Sequence, residues 1–495
     1  MLIQIVGYLI FVVYVIGLTY ITIFCLLQFH LLIKYKFKNK QINIIPKDHN
    51  FYPFVTIQLP VYNEQYVVQR LIDSICSLDY PKDKYEIHIL DDSTDKTIEI
   101  VADKVQEYKA KGFNIEQIRR PERIGYKAGA LKYGMQYAKG EFIAIFDADF
   151  LPKSDFLLET VPHFMNEKIG VVQTRWGHIN QNYSLLTELQ AFQLNVHFTV
   201  EQKGRYSGNY LLQFNGTAGV WRKSAIDEAG GWEADTLTED LDLSYRAQLK
   251  GWKILFLEDV LSPAELPAEM HGLKSQQFRW MKGGAETAKK MIPTIWKSSI
   301  SLGEKIHATT HLMGSTVFLF IFLIGIFSVP LVFLTIPLNL NDNFLIYFII
   351  SLLAIIVIYY VANVQTAWEK ESKLKMIVKF IVLFPLFLSL SMGLSLHNSI
   401  AVLQGFMGKK SAFIRTPKFN IINLKDNLNK KHKYRTSRIS KVTLMEGLLC
   451  IYFMFAIVLA FVSGNKSMLL YHTLLTIGFG SIFFLSIRHR YSENK

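Results

Sequence analysis

A chain of 495 residues has room for more than one domain, and although half of it is hydrophobic, the apolar residues crowd at the amino terminus and in the last third. The formal net charge of +13 does not point to nucleic acid, because the basic clusters "LLIKYKFKNK" and "KKHKYRTSRISK" flank apolar spans, where a positive-inside orientation accounts for them. The three cysteines, Cys25, Cys76 and Cys450, are far apart and form no C-x-x-C pair, which argues against a disulfide framework or a zinc site.

The first apolar run, "MLIQIVGYLIFVVYVIGLTYITIFCLLQFHLLIKYK", is too long for a signal-peptide core and has no small-residue cleavage site. Residues 1–33 are expected to be a retained membrane anchor, and residues 34–305 a cytoplasmic domain. In that domain strand-like "FVTIQLPVY", "YEIHIL" and "FNIEQIR" alternate with amphipathic "QYVVQRLIDSICSL", "TIEIVADKVQEYKAKG" and "GYKAGALKYGMQYAKG". "EFIAIF" and "IGVVQT" follow. Apolar strands alternating with helices predict an α/β domain with a mainly parallel sheet.

Ligands of such sheets bind beyond the carboxyl ends of the strands, and the polar clusters fall there. "PVYNE" brings Tyr62 and Glu64, "DDSTD" brings Asp91 and Asp92, and "DAD" brings Asp147 and Asp149. One Asp-rich turn is commonly a helix cap; three converging on one rim are not. Paired carboxylates suit a hard divalent cation, Mg²⁺ or Mn²⁺, that also grips phosphate oxygens. Arg123 and Lys127, at a predicted helix start, are either phosphate partners or solvated charges. Tyr62 suits a nucleobase platform or a core position, and Asp91 or Asp92 suits a nucleobase edge. Farther on, Glu239 and Asp240 open a helix, as caps or as the carboxylate that takes a proton from a sugar hydroxyl. "QQFRWMKGG" adds Gln276, Arg279 and Trp280: a guanidinium for a diphosphate, and an indole for a sugar face or for the membrane surface.

Beyond residue 305, apolar stretches near 312–336, 344–363, 376–396, 444–463 and 467–487 have the ~20 residues that a bilayer requires. If all crossed, the basic 409–441 stretch would lie outside, against the positive-inside tendency. The 376–406 segment, with Lys379, Pro385, His397 and Asn398, is therefore expected to be a broken helix lying partly in the membrane plane. That leaves five crossings and a cytoplasmic loop at 407–441.

The ordered series DD (91–92), DAD (147–149), TED (238–240) and Q-x-x-R-W (276–280) resembles the membrane-bound family 2 glycosyltransferases, and "GYKAGAL" and "FNGTAGVWR" look most like the cellulose-synthase-like mannan and glucan synthases. The resemblance implies a GT-A fold and inverting transfer from a nucleotide sugar, UDP-glucose or GDP-mannose, to a growing β-linked glycan. It places Asp91 and Asp92 at the nucleotide, Asp147 and Asp149 at diphosphate and metal, and Asp240 as the base, with Gln276, Arg279 and Trp280 at the acceptor end. "FIRTPK" (413–418) is similar to the cellulose synthase gating loop, with Arg415 where that pattern has Val; Thr416 and Lys418 remain phosphate partners. Single transfer to a lipid acceptor is the alternative, since Q-x-x-R-W also occurs in ceramide glucosyltransferases. A transporter is disfavoured because no apolar span carries paired ionisable residues. The expected setting is the cell's inner membrane, with the catalytic domain cytoplasmic. Donor identity and accessory subunits are not legible.

Overall fold

The computed structural model describes residues 2–37, 51–334, 345–366, 372–422, 426 and 439–490. Much of the expected 407–441 loop therefore lies outside the described residues.

Seven strands form one sheet: β1 (Val55–Val61), β2 (Tyr85–Asp91), β3 (Ile115–Ile118), β4 (Phe142–Ile145), β5 (Ile169–His178), β6 (Gly219–Arg222) and β7 (Lys253–Ala264). Their order is β3-β2-β1-β4-β6-β5-β7, and only β6 runs antiparallel to its neighbours. The mainly parallel α/β expectation holds. Helices cover both faces, so central strands are apolar on both sides: Ile57 and Ala144 face one core, Ile143 and Ile145 the other. The short crossovers leave β1, β2, β4 and β7 ending on one rim, where Glu64, Asp92, Asp147 and Glu265 follow them.

Among the described residues, six helices are long and apolar enough to cross a membrane: Gln4–Phe37, Leu302–Leu334, Ile346–Gln365, Lys373–Gly393, Lys441–Val462 and Leu469–Arg488. Lys373–Gly393 is continuous through Pro385, and the break falls after it, at Leu394, before a second helix, Ser395–Phe406. Both pieces hug the sheet domain. Lys379 pairs with Glu188 at 2.5 Å. Leu383, Phe384, Phe387 and Leu390 pack with Leu186, Leu189, Phe192, Met270 and Leu273.

The helix Met270–Lys297 joins the sheet domain to the apolar bundle. Lys274 Nζ reaches the fully buried Glu446 at 2.5 Å, and His489 Nδ1 accepts from Met270 N at 3.1 Å. On its other side Ser395–Phe406 approaches so closely that a Cβ on Gly405 would lie 2.6 Å from the Lys282 carbonyl. Lys282 Nζ then donates to the Lys409 carbonyl and to Ser411 Oγ, which leads residues 413–418 onto the rim.

Candidate active site

The rim encloses a cavity of about 210 Å³. Tyr62, Glu64, Asp92, Asp147 and Asp149 enter from the strand ends, Lys127 from the Tyr126–Gly134 helix, and Glu239 and Asp240 from the first turn of Glu239–Leu249. Gln276, Arg279 and Trp280 enter from Met270–Lys297, and Thr416 and Lys418 from the inserted segment. Every residue singled out in the sequence lines this cavity except Asp91. That carboxylate is buried, accepting from Ser93 N at 2.8 Å and from Gln117 Nε2 at 2.7 Å. Neighbours at a strand end point to opposite sides, so Asp91 fixes the turn while Asp92 faces the cavity. Arg120 grips Asp92 through two bonds, Nε to Oδ1 at 2.8 Å and Nη2 to Oδ2 at 2.6 Å.

Each carboxylate after β4 has a cation against it. Lys127 Nζ donates to Asp147 Oδ1 at 2.6 Å and to the Gly216 carbonyl at 2.9 Å. Burial opposes the charge on Lys127, yet Asp147, Glu239 and Asp240 outweigh it and raise the ammonium's pKa. Lys418 Nζ donates to Asp149 Oδ2 at 2.6 Å and to the Glu265 carbonyl at 2.7 Å. Arg415, the departure from the gating-loop pattern, pairs with Glu64 at 3.2 Å. Burial nevertheless pushes the Glu64 carboxyl up to about 8. The segment is also tied by Arg279, whose Nη2 donates to Thr416 Oγ1 at 2.8 Å, and by Phe419 N on Glu265 Oε1 at 2.8 Å.

Between these pairs runs a stack of alternating planes. The Arg123 guanidinium lies 3.5 Å from the Tyr62 ring centre and 4.8 Å from that of Tyr126. Tyr126 stacks on Phe413 at 5.6 Å, and Arg279 covers Phe413 at 4.6 Å. Tyr62, Arg123, Phe413 and Arg279 of this filled stack line the cavity, giving one side of its slot planar cations and rings that suit a flat, electron-rich group.

Glu239 and Asp240 are adjacent carboxylates in a largely enclosed place. Burial first, and then neighbouring carboxylates, drive both above the ordinary range, with Lys127 pulling the other way. A carboxylate of raised pKa is a stronger base than one in water. Asp240 is held by its own helix, its Oδ1 accepting from Leu241 N at 2.9 Å.

Asp147 and Asp149 offer carboxylate oxygens of the kind a hard divalent cation takes; Asp149 is only 6% exposed, and each carboxylate is answered here by a lysine, Lys127 and Lys418. Among the described residues, the group of three carboxylates close enough to share an ion is Glu233, Asp235 and Asp242, but Lys290 Nζ already contacts them at 2.6, 2.8 and 3.1 Å. That cluster is an ion-pair network away from the rim.

Residues 53–283 match the family described as "Glycosyltransferase like family 2". This region is a family 2 glycosyltransferase domain. Relatives of this glycosyltransferase domain include a probable glucomannan 4-β-mannosyltransferase 4 of Oryza sativa subsp. japonica, 45% identical over 262 residues, which are 52% of this chain and 48% of that protein. Glucomannan 4-β-mannosyltransferase 9 of Arabidopsis thaliana is 45% identical over 262 residues, 52% of this chain and 49% of its own. The chain spans about half the length of the curated relatives it matches. Among solved structures, a Pyrobaculum calidifontis mannosyltransferase in complex with GDP-Man and Mn²⁺ overlaps 72% of this chain and all of its own at 19% identity, with a TM-score of 0.48.

Glu265 and Phe413 line the cavity and Arg120 holds Asp92 at its edge, though the sequence reading assigns none of the three a role. Glu265 carried a usable signal, a lone carboxylate just past the end of β7. Arg120 sits in the charged "RRPERIGYK", where nothing distinguishes it from its neighbours.

Proposed function

We propose that the chain is a membrane-embedded hexosyltransferase that extends a β-linked polysaccharide, with mannose from GDP-mannose the favoured unit and glucose from UDP-glucose the other. The carrying observation is the convergence of Asp149, Asp240, Arg279 and Trp280 on one cavity beside the apolar helices. The relatives' names favour mannose in a β-1,4 linkage.

In this reading the nucleoside enters the slot beside Tyr62 and Arg123, with Asp92 at its edge. Lys127, Arg279, Thr416 and Lys418 take the charge of the diphosphate. Trp280 seats the sugar face of the acceptor. The acceptor hydroxyl gives its proton to Asp240 as its oxygen bonds to the anomeric carbon; the bond to the diphosphate breaks on the opposite face, so the configuration inverts. Asp147 and Asp149 would hold Mg²⁺ or Mn²⁺, whose chemistry is Lewis-acid stabilisation of the departing diphosphate. The glycan then passes outward among the apolar helices, and the catalytic domain faces the cytoplasm.

The test is incubation of membranes holding the chain with each labelled nucleotide sugar and Mn²⁺ or Mg²⁺. A ladder of long β-linked polymer supports the reading; a single sugar on lipid, or no transfer from either donor, refutes it.

A further inference from the structure

A second and larger cavity, about 830 Å³, lies behind the catalytic one, within the ~300–1,000 Å³ of small-molecule sites. Four parts of the chain meet around it: the end of the first helix at Tyr35 and Lys36, β5 and β7, the helix Leu185–Val196, and residues 362–366 with 376–383. The two cavities share Trp176 and His178, which stand in the wall between them.

The wall is polar, and two of its ion pairs close within it. Arg175 donates to Asn195 Oδ1 at 3.0 Å and to Glu258 Oε1 at 3.2 Å. Asn195 Nδ2 donates to Asn363 Oδ1 at 3.0 Å, and Lys36 Nζ to Gln365 Oε1 at 2.7 Å. Lys379 pairs with Glu188. Arg175 and Lys379 are thus matched by Glu258 and Glu188, and the other charged lining residues, Lys36, Lys203 and Asp259, leave the wall within one charge of neutral, beside amides and rings. Amide edges match hydroxyl groups, and the faces of Trp176 and Phe380 match the C–H faces of sugar rings. Trp176 Nε1 and both ring nitrogens of His178 are buried without a protein hydrogen-bond partner. Buried polar atoms are nearly always bonded, so this partition has hydrogen-bonding capacity that protein groups leave unused. Burial and the nearby Arg175 push the His178 imidazole down to about 3, so it is a neutral ring with one donor and one acceptor.

We propose that this second cavity is a binding site for a neutral glycan segment, separate from the acceptor end of the catalytic pocket and divided from it by Trp176 and His178. The proposal rests on the reading that the chain handles a polysaccharide. It concerns binding alone, which needs no donor and no turnover.

The experiment is equilibrium dialysis of the full chain in nanodiscs against a labelled β-1,4-linked mannose hexasaccharide, with no nucleotide sugar present. Gln181, a partly exposed residue of the second cavity only, is replaced by a ring that fills it. Saturable binding is expected with a component that Gln181→Trp weakens at least ~10-fold and Trp280→Ala leaves in place, beside any binding at the acceptor end. The reverse pattern would place the glycan in the catalytic pocket and overturn the proposal, as would no saturable binding. Displacement by inorganic phosphate or by anionic-lipid vesicles would also overturn it, because the occupant would then be an anion. A photoreactive hexasaccharide on the unmodified chain removes dependence on the variants' folding: adducts within 175–181 or 361–383 support the site, and adducts confined to 276–280 refute it. Absence of transfer from every donor would strike the polymerase reading, while absence of hexasaccharide binding in a chain that polymerises would strike this one.

Discussion

Gly216 puts a steric limit on where Asp240 can stand. Its φ is +78°, and a Cβ there would lie 2.8 Å from Asp240 Oδ2 and 3.4 Å from Lys127 Nζ. Ordinary contact begins at 3.4 Å, so in Gly216→Ala the carboxylate must retreat by about 0.6 Å. Moving the tip of a side chain costs little stability. The left-handed backbone costs an alanine about 1–2 kcal/mol. The rate is more sensitive, since misplacing a reacting group by about 1 Å costs on the order of 10²-fold. The expected outcome is a kcat lowered roughly 10- to 100-fold, with a small change in donor KM because the Gly216 carbonyl still receives Lys127. Steady-state transfer at saturating donor measures the first, and thermal unfolding of the purified chain the second. In an Asp240→Asn background the same alanine should add almost nothing to the rate loss. A kcat within about twofold of the parent, or full additivity in the double variant, would refute Asp240 as the base that Gly216 accommodates.

Asp240→Asn alone should lower transfer by about 10²–10⁴-fold while nucleotide affinity holds. Because the Glu239–Asp240 pair is shifted upward and the base acts ionised, parental activity should fall with decreasing pH at values above the ~3.9 of an ordinary aspartate; an acid limb that survives in the Asn variant contradicts the assignment. Asp149→Ala should abolish the Mn²⁺ dependence of nucleotide binding, read by titration with and without chelator, and an unchanged titration contradicts it. Lys274→Met should destabilise by about 3–5 kcal/mol, because Glu446 is left buried without its partner, and adding Glu446→Leu should restore most of the loss. With its folded pKa raised to about 8, Glu64 makes stability fall as pH rises from the ordinary ~4.3 towards 8, by at most about 1.4 kcal/mol per unit; Glu64→Gln should flatten that slope in pH-dependent unfolding.

The strands visible in the sequence were those whose burial on both faces writes an unbroken apolar run, as in Val55–Val61 and Phe142–Ile145. β6 escaped because it is four residues long and follows Gly216 and Ala218, both at positive φ, so "FNGTAGVWR" looks like a loop. β7 escaped because acidic residues interrupt it where its register with β5 shifts, around Glu258–Val260. Site residues at strand ends were legible because the fold class dictates where such ends meet. The partners of those residues were not. Nothing in "FIRTPK" says that Lys418 will face Asp149, or that Arg415 will find Glu64, since these contacts depend on the path of chain 269 and 351 residues away in sequence (418 − 149 and 415 − 64). Asp91 and Asp92 differ only in which way a strand's last residues turn, and the alternation of β2 decides that.

The anchoring of residues 373–418 at both ends sets a parity. Lys379 is moored to Glu188 and Lys418 to Asp149, so this thread begins and finishes on the catalytic domain's side of any lipid sheet. Between two moorings on one shore, the number of passages is even. The return stroke available is Ser395–Phe406, whose 12 residues reach about 18 Å, well short of the ~30 Å of hydrocarbon. In the membrane-embedded reading proposed above, Lys373–Gly393 would then make no full passage despite its length, and five crossings by the other apolar helices, an odd number, would leave Leu2 and Arg488 on opposite faces of the bilayer.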